Sequence, residues 1–159
     1  MCGIVGYVGD RKAFPILVNG LKRLEYRGYD SSGVALAQEG EIALYKRQGM
    51  VKAMEELALS NDVSGSTGIA HTRWATHGEP SEVNAHPHQS NERIFIVHNG
   101  IIENYLELKD ELADKGYAFT SKTDSELIAH LLDSYLEAGS SLLEATKQLK
   151  DKLQGAYAI

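Results

Sequence analysis

Four groups of residues in this sequence have the types and spacing to do chemistry: Cys2, the segment His71-Thr72-Arg73-Trp74-Ala75-Thr76-His77-Gly78, the triplet His98-Asn99-Gly100, and Asp124. The side chain of Cys2 is small enough for Met1 to be removed, which would leave a thiol and a free α-amine on one residue. An α-amine of pKa ~7.7–8.0 is suited to act as a general base near neutral pH. A terminal cysteine would therefore carry its own base, as an N-terminal threonine nucleophile does. The competing reading is a small apolar residue leading into a strand. As the single cysteine of the chain, it cannot form an internal disulfide.

Arg73 offers a planar fork that fits a carboxylate in bidentate fashion, and Trp74 could cover a pocket and exclude water. The alternative is an ordinary strand exit with Trp74 packed as core. Asn99 and Gly100 could donate an amide and an unobstructed backbone N–H to a developing oxyanion. Asn-Gly is equally a leading hairpin-turn signal. Asp124 could pair with a substrate ammonium group, or simply compensate a helix dipole inside a Thr123/Glu126 capping box. His71, His77, His86, His88 and His98 fall in one region, but their spacing fits no zinc signature, so no metal is expected. Gly3, Gly6 and Gly9 make no phosphate loop or dinucleotide fingerprint, and no cofactor is expected.

The elements that must position these groups can be read from periodicity. A buried strand is predicted over Ile4 to Val8, with Asp10 capping an amphipathic helix over Ala13 to Leu24. A hairpin follows over Gly33 to Gln38 and Glu41 to Arg47, then a helix over Met50 to Leu59. Strands over Thr67 to His71 and Ile94 to His98 flank a long polar loop of functional character. The rest reads as helix Tyr105 to Lys115, strand Tyr117 to Thr120, helix Asp124 to Glu137 and helix Leu142 to Leu153, with a second capping box at Ser141 and Glu144. Gly155 to Ile159 resembles a strand just begun, and the chain is expected to be truncated there. No internal repeat or low-complexity tract is present.

The chain has 159 residues, 43% of them hydrophobic, and a formal net charge of -6. That suits one domain with a real core. An acidic balance with scattered basic residues disfavours nucleic acid and anionic membranes as partners. No apolar run is long enough to span a bilayer and no signal peptide is evident, so a cytoplasmic location is the default expectation.

Taken in order, the segments resemble the N-terminal glutaminase domain of the glutamine–fructose-6-phosphate aminotransferase family, also called glucosamine-6-phosphate synthase. The resemblance spans nearly the whole chain. It is carried by Met1-Cys2-Gly3-Ile4-Val5-Gly6, the run from Leu24 to Ser31, Thr72 to Gly78, Asn84-Ala85-His86-Pro87-His88, His98 to Asn104, and Thr123-Asp124-Ser125-Glu126. Purine-pathway amidophosphoribosyltransferase and asparagine synthetase share the terminal Cys-Gly-Ile and an Asn-Gly element, but not the histidine-rich blocks.

This resemblance implies an α+β fold, a four-layer αββα N-terminal-nucleophile hydrolase sandwich, incomplete at its C-terminal end, with Cys2 on the first strand. It implies residues 1–159 as a glutaminase domain (class II glutamine amidotransferase), with the sugar-isomerase domain absent. Cys2 is then the nucleophile, with Asn99 and Gly100 as oxyanion hole. Arg73 takes the glutamine α-carboxylate and Asp124 its α-ammonium. Thr76 and His77 add polar contacts, Trp74 rides on the loop and controls ammonia passage, Arg27 supports the nucleophile end, and His86 braces the loop. The implied partners are L-glutamine, the isomerase domain that binds fructose 6-phosphate, and further copies of the full-length chain in a homo-oligomer. The alternatives are a non-catalytic fragment of the domain, or the donor domain of another class II amidotransferase.

Overall fold

The computed structural model describes residues 2–74 and 78–159. The chain divides into two compact units, Met1–Pro87 and His88–Ile159.

In the first unit, β1 (Gly3–Val8), β2 (Ser31–Ala37), β3 (Ile42–Gln48) and β4 (Thr67–Arg73) form one antiparallel sheet in the order β1-β4-β2-β3. Helices α1 (Ala13–Leu24) and α2 (Val51–Leu59) pack on it, with a short 3-10 turn at Glu25–Arg27 after α1. The helix spacing anticipated for α1 holds, since Phe14, Leu17, Val18 and Leu21 are buried. They meet Val34, Leu36 and Ala70 of the sheet and Val51, Met54 and Ala58. Side chains alternate along a strand, so Val34 and Leu36 face the helices while Ser31, Gly33 and Ala35 face away. All five are nonetheless buried, which is why β2 lacks an apolar-polar alternation.

The second face of β2 is covered within this unit by the segment before Pro87. The His86 carbonyl would lie 2.1 Å from a Cβ on Gly33, so only glycine permits the approach. Lys46 on β3 secures the same segment by donating to the Ala85 carbonyl at 2.8 Å. The Asp10 cap is not formed. No side chain caps α1, and the Ala13 N–H instead donates to the Gly65 carbonyl at 2.8 Å.

The second unit contains the hairpin β5 (His88–Ser90) and β6 (Ile94–Ile96), the pair β7 (Asn99–Gly100) and β8 (Tyr157–Ala158), and helices α3 (Tyr105–Asp114), α4 (Glu126–Glu137) and α5 (Leu142–Lys152). Its core is Leu108 and Leu112 of α3, Leu127, Ile128 and Leu131 of α4, and Leu149 and Leu153. The Ser141/Glu144 capping box is present at the start of α5. β5 was not anticipated, because three residues inside a polar stretch carry no strand period. Conversely, the predicted strand at 117–120 is absent.

Helix α4 explains that absence. Every residue from Glu126 to Asp133 is buried, including the polar stripe Glu126, His130 and Asp133 at helical spacing. Glu126 does not close a box with Thr123. It reaches back and accepts from Thr120 N–H at 2.9 Å, Ser121 N–H at 2.7 Å, and the hydroxyls of Thr120 and Ser121 at 2.8 and 2.6 Å. A side chain thus satisfies backbone donors that a strand partner would otherwise have met. Asp133, fully buried, accepts from the Arg93 Nε, from Asn91 Nδ2, from the Ser90 hydroxyl at 3.2 Å and from the Tyr117 hydroxyl at 3.2 Å. His130 Nδ1 lies 2.8 Å from the same Ser90 hydroxyl. The stripe therefore joins α4 to the β5–β6 hairpin and to residues 117–121.

Burial alone would raise the Glu126 carboxyl, but His130, Ser121 and Thr120 outweigh it and hold it well below the usual carboxylate range. Asp133 is likewise lowered against burial, by Arg93, Asn91 and Ser90. Carboxylates depressed in the folded state stabilise it above their unfolded pKa, and that contribution is lost as pH falls through the folded value. Urea unfolding followed by circular dichroism is expected to show stability declining as pH drops below the ordinary values of 4.5 and 3.8. At pH 7, Glu126→Ala leaves the buried Ser121 N–H and the part-buried Thr120 N–H unmatched and costs about 3 kcal/mol.

Candidate active site

In the first unit the site is built at one end of the sheet. Gly3 pairs with Thr72, and Thr72 with Ser32. Continuing the β1–β4 register by one residue sets Cys2 opposite Arg73. Paired residues of an antiparallel ladder share a face, so Cys2, Arg73 and Ser31 lie on the face away from α1 and α2. The Trp74 N–H donates to Cys2 Sγ at 3.3 Å, and the Trp74 carbonyl lies 3.6 Å from the sulfur. The thiol is thus held by the backbone of the strand that carries the guanidinium.

Residues 28–30 strap the end of β4. The Thr72 hydroxyl donates to the Gly28 carbonyl, and the Asp30 N–H donates to the Arg73 carbonyl at 3.1 Å. Arg73 is buried, and its Nη2 donates to the Gly78 carbonyl at 3.4 Å. Trp74 is not core: it is 51% exposed, with the Tyr29 ring edge-on at 6.1 Å. Arg27 is exposed, and its Nε donates to the Tyr26 hydroxyl at 2.8 Å while the guanidinium lies over the same ring. His86 is buried and stacks on His71 with centroids 4.1 Å apart, tying the segment before Pro87 to β4. Thr76 and His77 lie outside the described residues.

In the second unit, Asn99-Gly100 is a strand and not a hairpin turn. Asn99 pairs with Ala158 and Gly100 with Tyr157. The pairing continues past β7, with Ile101 N–H donating to Ala156 at 3.3 Å and Glu103 N–H to Gln154 at 2.8 Å. Alternate N–H groups of an extended chain point to opposite edges. Residues 101 and 103 therefore donate toward β8, and the N–H groups of Gly100 and Ile102 point the other way. On that other edge, Ile102 N–H donates to Asp124 Oδ2 at 2.9 Å. Asp124 precedes α4, whose N-cap is Ser125, so its carboxylate is engaged on this strand edge and not in the anticipated capping box. Asp124 Oδ1 accepts from the Ser125 hydroxyl at 3.4 Å, and that hydroxyl lies 2.7 Å from His98 Nδ1. Burial lowers the His98 pKa against the opposing pull of Asp124, which favours a neutral imidazole.

Each Asn104 amide atom also works for this strand: Nδ2 donates to the Lys152 carbonyl and Oδ1 accepts from Gln154 N–H, both at 3.0 Å. Asn104 and Ser125 lie inside blocks that carry the family resemblance but have no role assigned from sequence, and Lys46 has no motif or spacing that marks it. Among the described residues no group of three or more His, Cys, Asp or Glu side chains could hold a metal ion. Gly100 has φ +127°, and a Cβ there would lie 2.2 Å from the Ala156 carbonyl. Gly100→Ala is therefore expected to part this pairing and cost about 2–3 kcal/mol. Hydrogen exchange at Ile101 and Glu103 should accelerate, and unchanged protection would contradict the geometry.

A glutamine amidotransferase domain model matches residues 71–159. Three proteins named glutamine–fructose-6-phosphate aminotransferase (isomerizing) are similar over essentially the whole chain: 54% identical in Bacteroides thetaiotaomicron, 54% in Acinetobacter baylyi and 58% in Haemophilus ducreyi. The chain spans about a quarter of their length, 26% in each case. Among solved structures, glutamine phosphoribosylpyrophosphate amidotransferase from B. subtilis superposes with a TM-score of 0.83 at 29% identity, over 99% of this chain and 34% of that one. A structure described as the allosteric regulatory enzyme of purine biosynthesis gives 0.84, also at 29%. The fold is the α+β fold of the N-terminal-nucleophile hydrolases. By sequence and by fold, the chain belongs to the glutamine amidotransferase domain family.

Proposed function

We propose that this chain hydrolyses L-glutamine to glutamate and ammonia, with Cys2 as nucleophile once Met1 has been removed. The observation that carries this reading is the strand-end geometry of the first unit, where Cys2 Sγ receives the Trp74 N–H next to the buried Arg73. A nucleophile and a carboxylate-binding fork are thereby carried by adjacent strands.

The Cys2 sulfur attacks the side-chain carbonyl carbon of glutamine while its own α-amine takes the thiol proton. The developing oxyanion accepts from the Asn99 amide and the Gly100 N–H, the latter turned away from the β8 ladder. Collapse of the tetrahedral intermediate breaks the C–N bond, and the α-ammonium returns its proton to the departing nitrogen, releasing ammonia. Water then attacks the γ-glutamyl thioester, freeing glutamate and the thiol. Arg73 binds the α-carboxylate of glutamine and Asp124 its α-ammonium, while Thr76 and His77 add polar contacts. Trp74 shields the site and controls passage of ammonia. Arg27 supports the nucleophile end through its hold on Tyr26, and His86 braces the loop through its stack on His71.

By their printed names, the curated relatives act on fructose 6-phosphate. We extend that to the parent of this chain: residues 1–159 form the ammonia-producing part of the glutaminase domain, and a sugar-isomerase domain receives the ammonia to make glucosamine 6-phosphate. The working assembly is a cytoplasmic homo-oligomer. No helix among the described residues is long and apolar enough to cross a membrane.

Glutamate release by protein lacking Met1 tests the reading. Cys2→Ala is expected to reduce the rate at least ~10³-fold, the scale on which loss of a nucleophile acts. Arg73→Lys loses the bidentate carboxylate contact and should raise KM about tenfold or more, with kcat less affected. Release that survives Cys2→Ala would overturn the assignment.

A further inference from the structure

We infer that Ser125 is a positioning residue for glutamine hydrolysis, one that acts through His98 and Asp124 to fix the strand carrying Asn99 and Gly100. The inference rests on the function proposed above.

A serine at an N-cap ordinarily turns its hydroxyl onto the first free N–H groups of its helix, and losing that bond costs helix stability. Ser125 occupies the N-cap of α4 but makes no such bond, and its own backbone is already helical at φ -80°, ψ -33°. The hydroxyl is spent elsewhere. It lies 2.7 Å from His98 Nδ1 and donates to Asp124 Oδ1 at 3.4 Å.

The direction of the chain follows from donor and acceptor chemistry. An ionised carboxylate only accepts, so in the contact to Asp124 the Ser125 hydroxyl is the donor. With its one proton placed there, the serine oxygen is left to accept from His98 Nδ1–H. In this arrangement His98 is the Nδ1-protonated tautomer, and its burial at 3% exposure favours the neutral ring. The opposite oxygen of Asp124 takes Ile102 N–H. The dipeptide Asp124-Ser125 thus grips the strand at residue 98 and at residue 102, on either side of the two proposed oxyanion donors. The same carboxylate is proposed to meet the substrate ammonium. A single hydroxyl consequently aligns ammonium recognition with oxyanion stabilisation, and a loosened donor loses force steeply with distance.

Two measurements test this. In steady-state glutamine hydrolysis, Ser125→Ala is expected to lower kcat/KM about tenfold, through kcat as well as KM, and Ser125→Thr, which keeps the hydroxyl, should recover most of the loss. Ser125→Ala kinetics matching the unsubstituted protein would overturn the inference. Ring ¹⁵N NMR of the 159-residue chain reads the link without catalysis: His98 should carry its proton on Nδ1, and that resonance should move in Ser125→Ala. A proton on Nε2, or ring shifts identical in both proteins, would also overturn it. An unchanged KM in Asp124→Asn would instead remove the ammonium role from the proposed function, while the ¹⁵N result still decides the Ser125–His98 link.

Discussion

The pairing of Gly3 with Thr72 governs everything around Cys2. With β1 beginning at residue 3, the side chain of Cys2 takes its place from the ladder immediately following it, and the partner of that ladder is the end of β4. β4 is in turn held in register by β2 and strapped by Asp30 and by the Thr72 hydroxyl. A central strand paired on both sides is the least mobile part of a sheet. Anchoring the sulfur to its terminal backbone at Trp74 therefore gives a rigid reference to a group that sits close to the start of the sequence.

The second unit follows a related rule: short strands there are completed by side chains. The 99–104 segment spends one edge on residues 154–158 and closes part of the other with the Asp124 carboxylate. Residues 120 and 121 donate to Glu126 in place of a strand partner. Buried carboxylates carry a large desolvation cost unless several donors meet them. Glu126 and Asp133 each receive four, which makes them fixed points for the loops they hold.

These side-chain closures mark the limit of what sequence could reveal. Helices α1 and α5 were legible because an apolar stripe at 3.6-residue spacing, or a capping box, is a local signal. Thr123/Glu126 has the same box spacing, yet Glu126 answers to Thr120 and Ser121, a choice made by packing. Asn99-Gly100 has the composition of a turn, and only the pairing with Tyr157 and Ala158 makes it a strand; that partner lies far along the chain and leaves no local trace. For the candidate site, Cys2, Arg73, Asn99, Gly100 and Asp124 were visible as residue types joined by family resemblance. The roles of Ser125, although it lies inside one of the resemblance blocks, and of Lys46 were not, because a serine beside a helix start and a lysine in a strand have ordinary explanations until their hydrogen-bond partners are known.

The central claim is that the Cys2 sulfur forms a covalent bond to the substrate. It is tested most directly by mixing Met1-free protein with glutamine, quenching in acid within a single turnover, and measuring intact and peptide masses. The account predicts a glutamyl increment that maps to the peptide containing Cys2 and disappears with Cys2→Ser or on mild thioester cleavage. Glutamate produced at the same rate with no increment at any time, or an increment mapping to another peptide, would contradict it.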